Sequence, residues 1–517
     1  MCFEVLESDL LGRIGRIETK RGYIETPMLL PVIHPVKQEV SLEEIRKIGF
    51  YAIITNAYIT MKHYSNLAIE KGIHEILGFD GVVMTDSGGY QILTYGKIDF
   101  SPEQIAEYEK AIKTDIAVIL DTPTGSTKDK ERARETVTKT LEAAKRTMNY
   151  LKEKGKILWC GTIQGGRFLD LIEYSAKELV KMDFDLLALG SPTEFMESYN
   201  FEILSKMIIT AKRNIPLDKP LHLFGAGHTL TIPLGVALGC DIFDSASYIL
   251  FAKNLRYIDS YGTYRLEELS NLPCNCPICS NHTQRELLED EERVKKLALH
   301  NLYALMEEIK RVKQSIKEGR LWDYLSLKAN AHPNLKRAFS LIAQNSELLE
   351  DGTPLFKPRA LFFKDYDDLR RPEIIRFEKR IGDLRLPDKE IGIIIESPKD
   401  SPLLLSKVFK NIMKELKNKI QFFSLLNPWG IIPVEISDLY PLSQYLCSLK
   451  LDVNFVVREF SKILSKRKYK RLLIFYCSEE LEGFVKELEN LKARGIKIKN
   501  YNKREILKVL KEHLSIK

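Results

Sequence analysis

Short apolar segments alternate with charged, helix-favouring segments through the first 250 residues. The charged segments, such as Glu103–Lys113 and Lys128–Lys154, predict helices. The apolar segments predict strands, and they are Tyr51–Thr55, Gly81–Met84, Ile116–Leu120, Ile157–Ile163, Leu186–Leu189, Pro220–Phe224 and Cys240–Phe243. Continuous apolar strands between helices indicate a parallel sheet that is covered on both faces. Seven or eight such units favour a (β/α)₈ TIM barrel over a short doubly wound sheet.

The pattern changes after the predicted barrel. Residues 268–284 interrupt the alternation, and residues 285–345 predict helices rich in Glu, Lys and Leu. From about residue 345, a second α/β pattern begins. Its predicted strands and helices are Ile391–Ile395, Leu404–Lys419, Leu472–Tyr476 and Lys503–Leu514. This region contains one or two small modules, and two modules would meet near Asn427–Gly430.

The composition excludes several classes of protein. Hydrophobic residues make up 44% of the chain and charged residues 29%, as in ordinary globular proteins, which excludes collagen-like and disordered chains. No apolar run reaches the roughly 18 residues of a spanning helix. The N-terminus, MCFEVLESDLLGR, carries acidic residues where a secretory signal would be basic. We therefore expect a cytoplasmic protein without a membrane segment.

The charge of the chain is unevenly distributed. Residues 401–517 contain 23 basic and 12 acidic residues, a net charge of +11, whereas residues 1–400 contain 55 and 59, a net charge of −4. The basic part includes the run Lys466–Arg471. A basic module on a slightly acidic body favours a polyanionic partner such as nucleic acid. A solvated lysine-rich surface is the alternative interpretation of the run.

Polar residues directly follow the predicted strands. In a TIM barrel, the loops at the carboxyl ends of the strands build the active site, so these residues should converge. They are Thr55-Asn56, Asp86–Gln91, Asp121, Gln164–Gly166, Gly190-Ser191, Gly225–His228 and Asp244-Ser245. Each one alone is compatible with a strand-end cap or turn, but seven at equivalent places predict a site.

Three of these residues are carboxylates that could act on a sugar–base bond: Asp86, Asp121 and Asp244. In a pair that flanks such a bond, one carboxylate attacks the anomeric carbon, and the other transfers protons to and from the leaving group as a general acid/base. The third could accept the N–H donors of a purine-like base. Gln164 can both donate and accept at the edge of such a base.

Aromatic and glycine residues at the same strand ends fit a flat ligand. Tyr90 and Phe224 could sandwich an aromatic base, although core packing explains Phe224 equally well. The pairs Gly88-Gly89 and Gly165-Gly166 would allow a flat ligand to approach the backbone.

A cluster of cysteines predicts a metal site. The spacing Cys274-x-Cys276-x₂-Cys279 offers three thiolates, and the fourth ligand is either His282 or His300. We prefer His300, because it lies on a predicted helix that can reach back to the cluster. Three thiolates and one imidazole form a closed tetrahedral zinc set, so we expect one structural Zn²⁺ per chain.

Taken together, these segments resemble the tRNA-guanine transglycosylase family. The resemblance covers roughly residues 10–340, and the segments HLFGAGH and FDSASY favour its archaeal branch. The matching stretches are Thr85–Gln91, Ile163–Gly166, Ala188–Ser191, His222–His228, Gly239–Tyr248 and the cysteine cluster with the later His-Asn pair.

The resemblance implies a reaction and a role for each site residue. Guanine at position 15 of the tRNA D-arm would be exchanged for 7-cyano-7-deazaguanine, a step of archaeosine biosynthesis, through a covalent ribosyl-aspartate intermediate. Asp244 matches the nucleophile and Asp86 the general acid/base. The residues that match base-binding positions are Asp121, Gln164, Gly190, Ser191, Tyr90 and Phe224, and the zinc ligands are Cys274, Cys276, Cys279 and His300.

The resemblance also implies partners and domains. We expect tRNA, guanine and 7-cyano-7-deazaguanine as ligands, and a homodimer. No β-rich PUA module, which longer archaeal members carry, is recognisable at the C-terminus, so a separate PUA-containing protein is a further candidate partner. The expected domains are a catalytic domain over 1–340, with a zinc subdomain at about 268–310, and a basic α/β accessory region over 345–517.

Two other functions fit parts of the sequence. One is a catalytically altered paralogue, and the other is a non-catalytic, zinc-stapled scaffold that binds tRNA. The presence of Asp86, Asp121 and Asp244 argues against the altered paralogue. Mutating one of these aspartates and measuring base exchange would separate the scaffold from an enzyme. A zinc hydrolase would need an open metal position for water, which a set of three cysteines and one histidine does not offer.

Overall fold

The computed structural model describes residues 3–89, 100–151, 157–381, 383–396, 420–477, 479–498, 508–510 and 512. The chain divides into two compact units. The first contains Met1–Ile342 and Asp351–Pro354, and the second contains Ala343–Glu350 and Leu355–Lys517.

A closed barrel of eight parallel strands forms the first unit, which confirms the predicted fold class. A three-stranded antiparallel sheet precedes it, with strands β1 (Phe3–Asp9), β2 (Gly12–Thr19) and β3 (Gly22–Thr26). The barrel strands are β4 (Met28–Ile33), β5 (Ala52–Asn56), β6 (Val82–Asp86), β7 (Ile116–Val118), β8 (Leu158–Ile163), β9 (Leu186–Leu189), β10 (Leu221–Leu223) and β11 (Ile242–Ser245).

Each of the seven predicted apolar segments overlaps one barrel strand. The eighth strand, β4, was not among them, and its sequence shows why. Pro31 lies inside β4, where it pairs with Ser245 of β11. Proline cannot donate a ladder hydrogen bond, so it normally argues against a central strand.

Helices surround the barrel and follow its strands. They are α1 (Leu42–Ile48), α2 (Ala57–Lys71), α3 (Ile73–Leu77), α4 (Pro102–Ala111), α5 (Lys130–Leu151), α6 (Leu169–Val180), α7 (Thr193–Glu197), α8 (Phe201–Arg213), α9 (Thr231–Ala237) and α10 (Ser247–Lys253). The local sequence determines where several of these helices begin. Ser41 and Glu44 form a capping box at the N-terminus of α1, and Ser101 and Gln104 form one at the N-terminus of α4. In the described ranges, every helix is too short or too polar to cross a lipid bilayer.

The barrel interior is apolar at one end and polar at the other. Buried side chains from the strands, including Leu30, Ile54 and Met84, form one cluster with Phe3 of β1 and Ile17 of β2. The small antiparallel sheet therefore packs against the apolar interior at the amino ends of the strands. The carboxyl ends carry the polar residues, and they remain open to form a site.

Two more strands and five helices follow the barrel. The long helix α13 packs against α10 and β12, which ties this region to the end of the barrel. The elements are β12 (Arg256–Asp259), β13 (Gly262–Arg265), α11 (Pro277–Ser280), α12 (Gln284–Glu289), α13 (Arg293–Lys317), α14 (Leu321–Ala329) and α15 (Pro333–Gln344).

The second unit is built on a five-stranded sheet in the order β17-β16-β15-β19-β20. Another two strands, β14 and β18, pair with each other in parallel. The strands are β14 (Leu361–Phe363), β15 (Ile391–Glu396), β16 (Ile420–Leu426), β17 (Gly430–Pro433), β18 (Tyr445–Cys447), β19 (Arg471–Tyr476) and β20 (Ala493–Lys497). The helices are α16 (Glu347–Glu350), α17 (Pro372–Ile381), α18 (Val453–Lys466) and α19 (Glu482–Glu489).

Both strands predicted for this region form, as β15 and β19. Residues 427–429 make the turn between the antiparallel neighbours β16 and β17 of this one sheet, and Gly430 is the first residue of β17. The predicted helix Leu404–Lys419 lies outside the described residues, and so does Lys503–Leu514 apart from 508–510 and 512.

The basic run of the second unit is partly neutralised within the unit. Lys466 Nζ lies 3.6 Å from a carboxylate oxygen of Asp383, and Lys470 Nζ lies 2.7 Å from one of Glu390. Arg467 pairs with Asp388. Three of the five cations of the run thus have acidic neighbours, so the net charge of the region overstates the charge that the run offers to a partner.

A buried ion pair connects the small antiparallel sheet to the barrel. Arg13 is 7% exposed and Asp241 is fully buried. The Nε–H of Arg13 donates to Asp241 Oδ1 at 2.9 Å, and the backbone N–H of Leu221 donates to Asp241 Oδ2 at 2.8 Å. Asp241 therefore joins β2, β10 and the segment that enters β11.

We predict that Asp241→Ala lowers the free energy of unfolding by about 3–5 kcal/mol, because it leaves a buried guanidinium without its counter-charge. Urea unfolding measures this loss. Asp80→Ala is the matched control, since Asp80 pairs with Arg46 at an exposed position; it should cost less than about 1 kcal/mol. Equal losses in the two variants would contradict the importance of the buried pair.

Candidate active site

A cavity of about 900 Å³ opens at the carboxyl ends of the barrel strands. Seven of the eight residues predicted to react with or bind the substrate line it, and they are Asp86, Asp121, Gln164, Gly190, Ser191, Phe224 and Asp244. Tyr90, the eighth, lies outside the described residues. The placement follows from the fold, because side chains at the ends of different strands meet at the mouth of the barrel.

Asp86 is the last residue of β6, and Asn56 at the end of β5 holds it. The side-chain oxygen of Asn56 accepts the N–H of Ile59 at 2.9 Å as the cap of α2. Its Nδ2 is therefore the atom that donates to Asp86 Oδ2, at 2.9 Å. Burial, followed by the negative charges of Asp121 and Asp244, raises the pKa of Asp86 to about 7.

Asp121 is held by Gln164, whose amide has one possible orientation. The Oε1 atom of Gln164 accepts the hydroxyl of Ser191 at 2.9 Å and the N–H of Thr124 at 3.1 Å. The Nε2 atom therefore donates, and Asp121 Oδ2 accepts at 2.6 Å. Burial raises the pKa of Asp121 to about 6, and the bond from Gln164 opposes this effect. The two side chains form one rigid polar wall of the cavity.

Two glycines of the predicted motifs are required by this wall. A Cβ on Gly89 would lie 2.0 Å from Asp121 Oδ1, and a Cβ on Gly190 would lie 2.3 Å from Gln164 Nε2. The sequence favoured Gly89 as space for a flat ligand. In the structure, the absent side chain makes room for the carboxylate of Asp121.

Asp244 lies near the end of β11 and accepts two hydrogen bonds on one oxygen. His222 Nε2 is 2.8 Å from Asp244 Oδ1, and the backbone N–H of Gly225 donates to the same atom at 3.0 Å. Phe224 lines the cavity beside this pair, with its ring centroid 4.6 Å from that of His222. Phe224 is partly exposed, so its ring is accessible from the cavity.

A second group of side chains could bind a metal ion. The ligand atoms of Cys274, Cys276, Cys279 and His300 all lie within 4.8 Å of one another. His300 reaches the cysteines from helix α13, as expected. The alternative ligand, His282, is engaged elsewhere: its Nδ1 lies 2.9 Å from the Ile278 carbonyl and its Nε2 lies 3.2 Å from Lys296 Nζ.

A hydrogen bond to the ring of His300 orients it to bind a metal ion. Its Nε2 lies 2.9 Å from the carbonyl oxygen of Ile258, so the proton belongs on that nitrogen. The lone pair of Nδ1 then points to the thiols, 3.3 Å from Cys279 Sγ and 3.5 Å from Cys276 Sγ. Three soft sulfur donors and one imidazole fit a tetrahedral metal ion.

Comparison with known proteins assigns the family. Residues 8–334 match the model of a family described as queuine tRNA-ribosyltransferase, abbreviated TGT. The chain belongs to this family. As a TGT-family member it is a glycosyltransferase-type enzyme that acts on tRNA, and the recognition made from the sequence is confirmed.

Curated relatives of this TGT chain carry the name tRNA-guanine(15) transglycosylase. The protein of Sulfolobus acidocaldarius is 41% identical over 93% of this chain and 96% of its own length. That of Saccharolobus solfataricus is 42% identical over 92% and 97%. That of Methanocaldococcus jannaschii is 40% identical over 86% of this chain and 68% of its own length.

Two residues that bind the carboxylates of the TGT cavity were not among the predicted site residues. Asn56 was noted as a polar residue after a strand, but its contact with Asp86 depends on the register of β5 and β6, which pairs these two residues. His222 lies within an apolar strand, where a histidine gives no local signal. Its partner is 22 positions away, so only the structure reveals the contact.

We predict that the stability of Asp86→Asn relative to the wild type increases as the pH rises. The folded state holds the proton of Asp86 more tightly than the unfolded chain, because its pKa is about 7 instead of 3.8. The contribution of Asp86 to the stability of the wild type is therefore lost as the pH rises from about 4 to about 7. The variant should gain on the order of 2 kcal/mol over the wild type between pH 5 and pH 8.

Chemical denaturation at several pH values checks this expectation. Asp218→Asn changes an exposed carboxylate and serves as the matched control. Its stability difference from the wild type should be nearly independent of pH. The same flat profile for Asp86→Asn would contradict the raised pKa.

Proposed function

We propose that this protein exchanges guanine at position 15 of the tRNA D-arm for 7-cyano-7-deazaguanine, a step of archaeosine biosynthesis. The observation that carries the proposal is that Asp86, Asp121 and Asp244 share one cavity at the mouth of a TGT-family barrel. The names of the relatives support the substrate and its position. A base exchange on ribose needs a nucleophile, a proton carrier and a base-binding group, and the three carboxylates match these needs.

Asp244 is the proposed nucleophile. Its carboxylate attacks C1′ of the ribose and forms an ester, while the bond from C1′ to the guanine breaks and its electron pair leaves with the base. The incoming base then attacks C1′ and releases the carboxylate. Two displacements at one carbon retain the original stereochemistry, and no ATP is needed.

Asp86 is the proposed general acid and base. The departing guanine takes a proton from Asp86, and Asp86 then accepts the N–H proton of the incoming 7-cyano-7-deazaguanine. A pKa of about 7 suits both steps, because the protonated and ionised forms are both populated near neutral pH. The amide of Asn56 keeps the carboxylate oriented in either state.

Asp121 and Gln164 are the residues proposed to recognise the edge of the base by hydrogen bonds. The ionised carboxylate of Asp121 accepts N–H donors such as those of a guanine-type base. Gln164 retains a second amide hydrogen after its bond to Asp121. Gly190 and Ser191 adjoin this wall, and the accessible ring of Phe224 is proposed to stack on the base, with Tyr90 as the second stacking residue. The target nucleotide must leave its stack to enter the cavity.

We propose Zn²⁺ as the metal of the cysteine cluster, in a structural role. With four protein ligands, the coordination shell of a tetrahedral ion is complete, so no position remains for a reactive water. The homodimer and the separate PUA-containing partner also stay predictions.

Incorporation of labelled guanine into a tRNA transcript tests the function directly. The wild type should incorporate label into a transcript with guanine at position 15 and not into one with adenine there. Added 7-cyano-7-deazaguanine should then displace the label. Equal incorporation into the two transcripts would contradict the proposed position, and label that 7-cyano-7-deazaguanine fails to displace would contradict the proposed incoming base.

Asp244→Asn should bind tRNA yet lose base exchange by about three orders of magnitude or more, because an amide is a poor nucleophile at C1′. It should also form no covalent RNA adduct on denaturing gels. Asp218→Asn is again the control and should exchange normally. Near-normal exchange by Asp244→Asn would exclude Asp244 as the nucleophile.

Cys276→Ser should lower the zinc content and the melting temperature together, because metal ligation contributes directly to the folding of such subdomains. Elemental analysis and thermal unfolding of the purified protein measure both. Ser280→Ala, one residue beyond the cluster, should retain one zinc per chain. A wild-type preparation without zinc would contradict the proposal.

A further inference from the structure

His222 is a fully buried histidine that the roles described so far leave without a function. It lies on β10, where its backbone pairs with Ile242 of the neighbouring strand β11. Asp244 is two residues beyond Ile242, so its side chain lies on the same face of the barrel wall. This arrangement brings His222 Nε2 to 2.8 Å from Asp244 Oδ1.

The surroundings of the imidazole determine which nitrogen carries the proton. Within the described parts of the chain, the buried Nδ1 of His222 has no hydrogen-bond partner. An N–H at that position would be a buried donor without an acceptor, which is costly. The favoured form is the neutral ring with its proton on Nε2, where the carboxylate of Asp244 accepts it.

The loop after β10 supplies a second donor to the same oxygen. The N–H of Gly225 lies 3.0 Å from Asp244 Oδ1. Gly225 has φ +69°, in the left-handed region, and a Cβ there would lie 2.7 Å from Thr193 Oγ1. Glycine is therefore needed for the backbone to present this N–H to the carboxylate.

We infer that His222 is a positioning residue that holds Asp244 by Oδ1 and leaves Oδ2 as the atom that attacks C1′. The hydrogen bonds from described residues to this carboxylate all reach Oδ1, while the side chain lines the cavity and is 12% exposed. This inference rests on the proposed function, in which Asp244 is the nucleophile.

The two donors fit every stage of the proposed exchange. When an electron pair of Oδ2 forms the bond to C1′ and the C1′–base bond breaks, Oδ1 becomes the carbonyl oxygen of the ester. A carbonyl oxygen still accepts both hydrogen bonds, so neither donor has to move. When the second base displaces the ester, the electron pair returns to Oδ2 and the carboxylate is restored in its starting orientation. The site is thus preorganised for both displacements.

Two variants separate positioning from simple packing. His222→Leu fills similar space without a donor, and His222→Gln keeps a side-chain N–H that can reach the place of Nε2. Each is compared with the wild type in single-turnover formation of the covalent RNA adduct, in kcat and KM for tRNA, and in melting temperature. Asp244→Asn is measured in parallel.

We expect His222→Leu to lower the rate of adduct formation and kcat by about 10- to 100-fold, the effect of losing one hydrogen bond to a charged group. The KM for tRNA should stay within about threefold. His222→Gln should recover most of the lost rate even where its melting temperature matches that of His222→Leu.

The possible outcomes are distinct. If His222→Leu forms the adduct at the wild-type rate while Asp244→Asn is inactive, the positioning role is wrong and the proposed function stands. If His222→Gln is as slow as His222→Leu while both variants fold, the donor is not the relevant property and the inference fails. If Asp244→Asn exchanges bases normally, the nucleophile assignment and this inference fall together.

Discussion

The repulsion among three carboxylates in one cavity is the constraint on which the rest of the site depends. Burial and mutual charge both disfavour three ionised groups, as the raised pKa of Asp86 shows. Each carboxylate is accordingly held by a donor whose orientation is fixed by other bonds. Asn56 is fixed by its role as a helix cap, Gln164 by the two donors to its oxygen, and the Gly225 N–H by the turn of its loop.

These donors also keep the carboxylates chemically different from one another. Asp86 accepts from the side-chain amide of Asn56 and from the backbone of Gly88, and it has a pKa near neutrality, which suits proton transfer. Asp244 accepts from two donors on one oxygen. Different partners thus suit three residues of the same type to the three proposed roles of proton carrier, base-binding group and nucleophile.

Sequence periodicity and strand-end placement were enough to predict the barrel and most of the cavity. They succeed because strands buried on both faces are continuously apolar and because polar residues at their carboxyl ends must converge. These sequence patterns fail where the role of a residue depends on a partner that is distant in the sequence. Because of Pro31, the sequence pattern does not predict β4, and the strand is recognisable only from its pairing with β11. His222 lies in an apolar strand, and Gly89 makes room for a side chain 32 positions away.

The candidate metal ligands are connected by hydrogen bonds to the helix that follows the strand of Asp244. Asn301, next to His300, accepts the N–H of Ile258 at 2.9 Å and donates to the carbonyl of Tyr248 at 3.1 Å. Tyr248 is in α10, the helix that begins two residues after Ser245. With the proposed metal bound by His300, a chelator would release one end of this connection. A change at His300 would thus reach the helix that follows the strand of Asp244 through the hydrogen bonds of its neighbour Asn301.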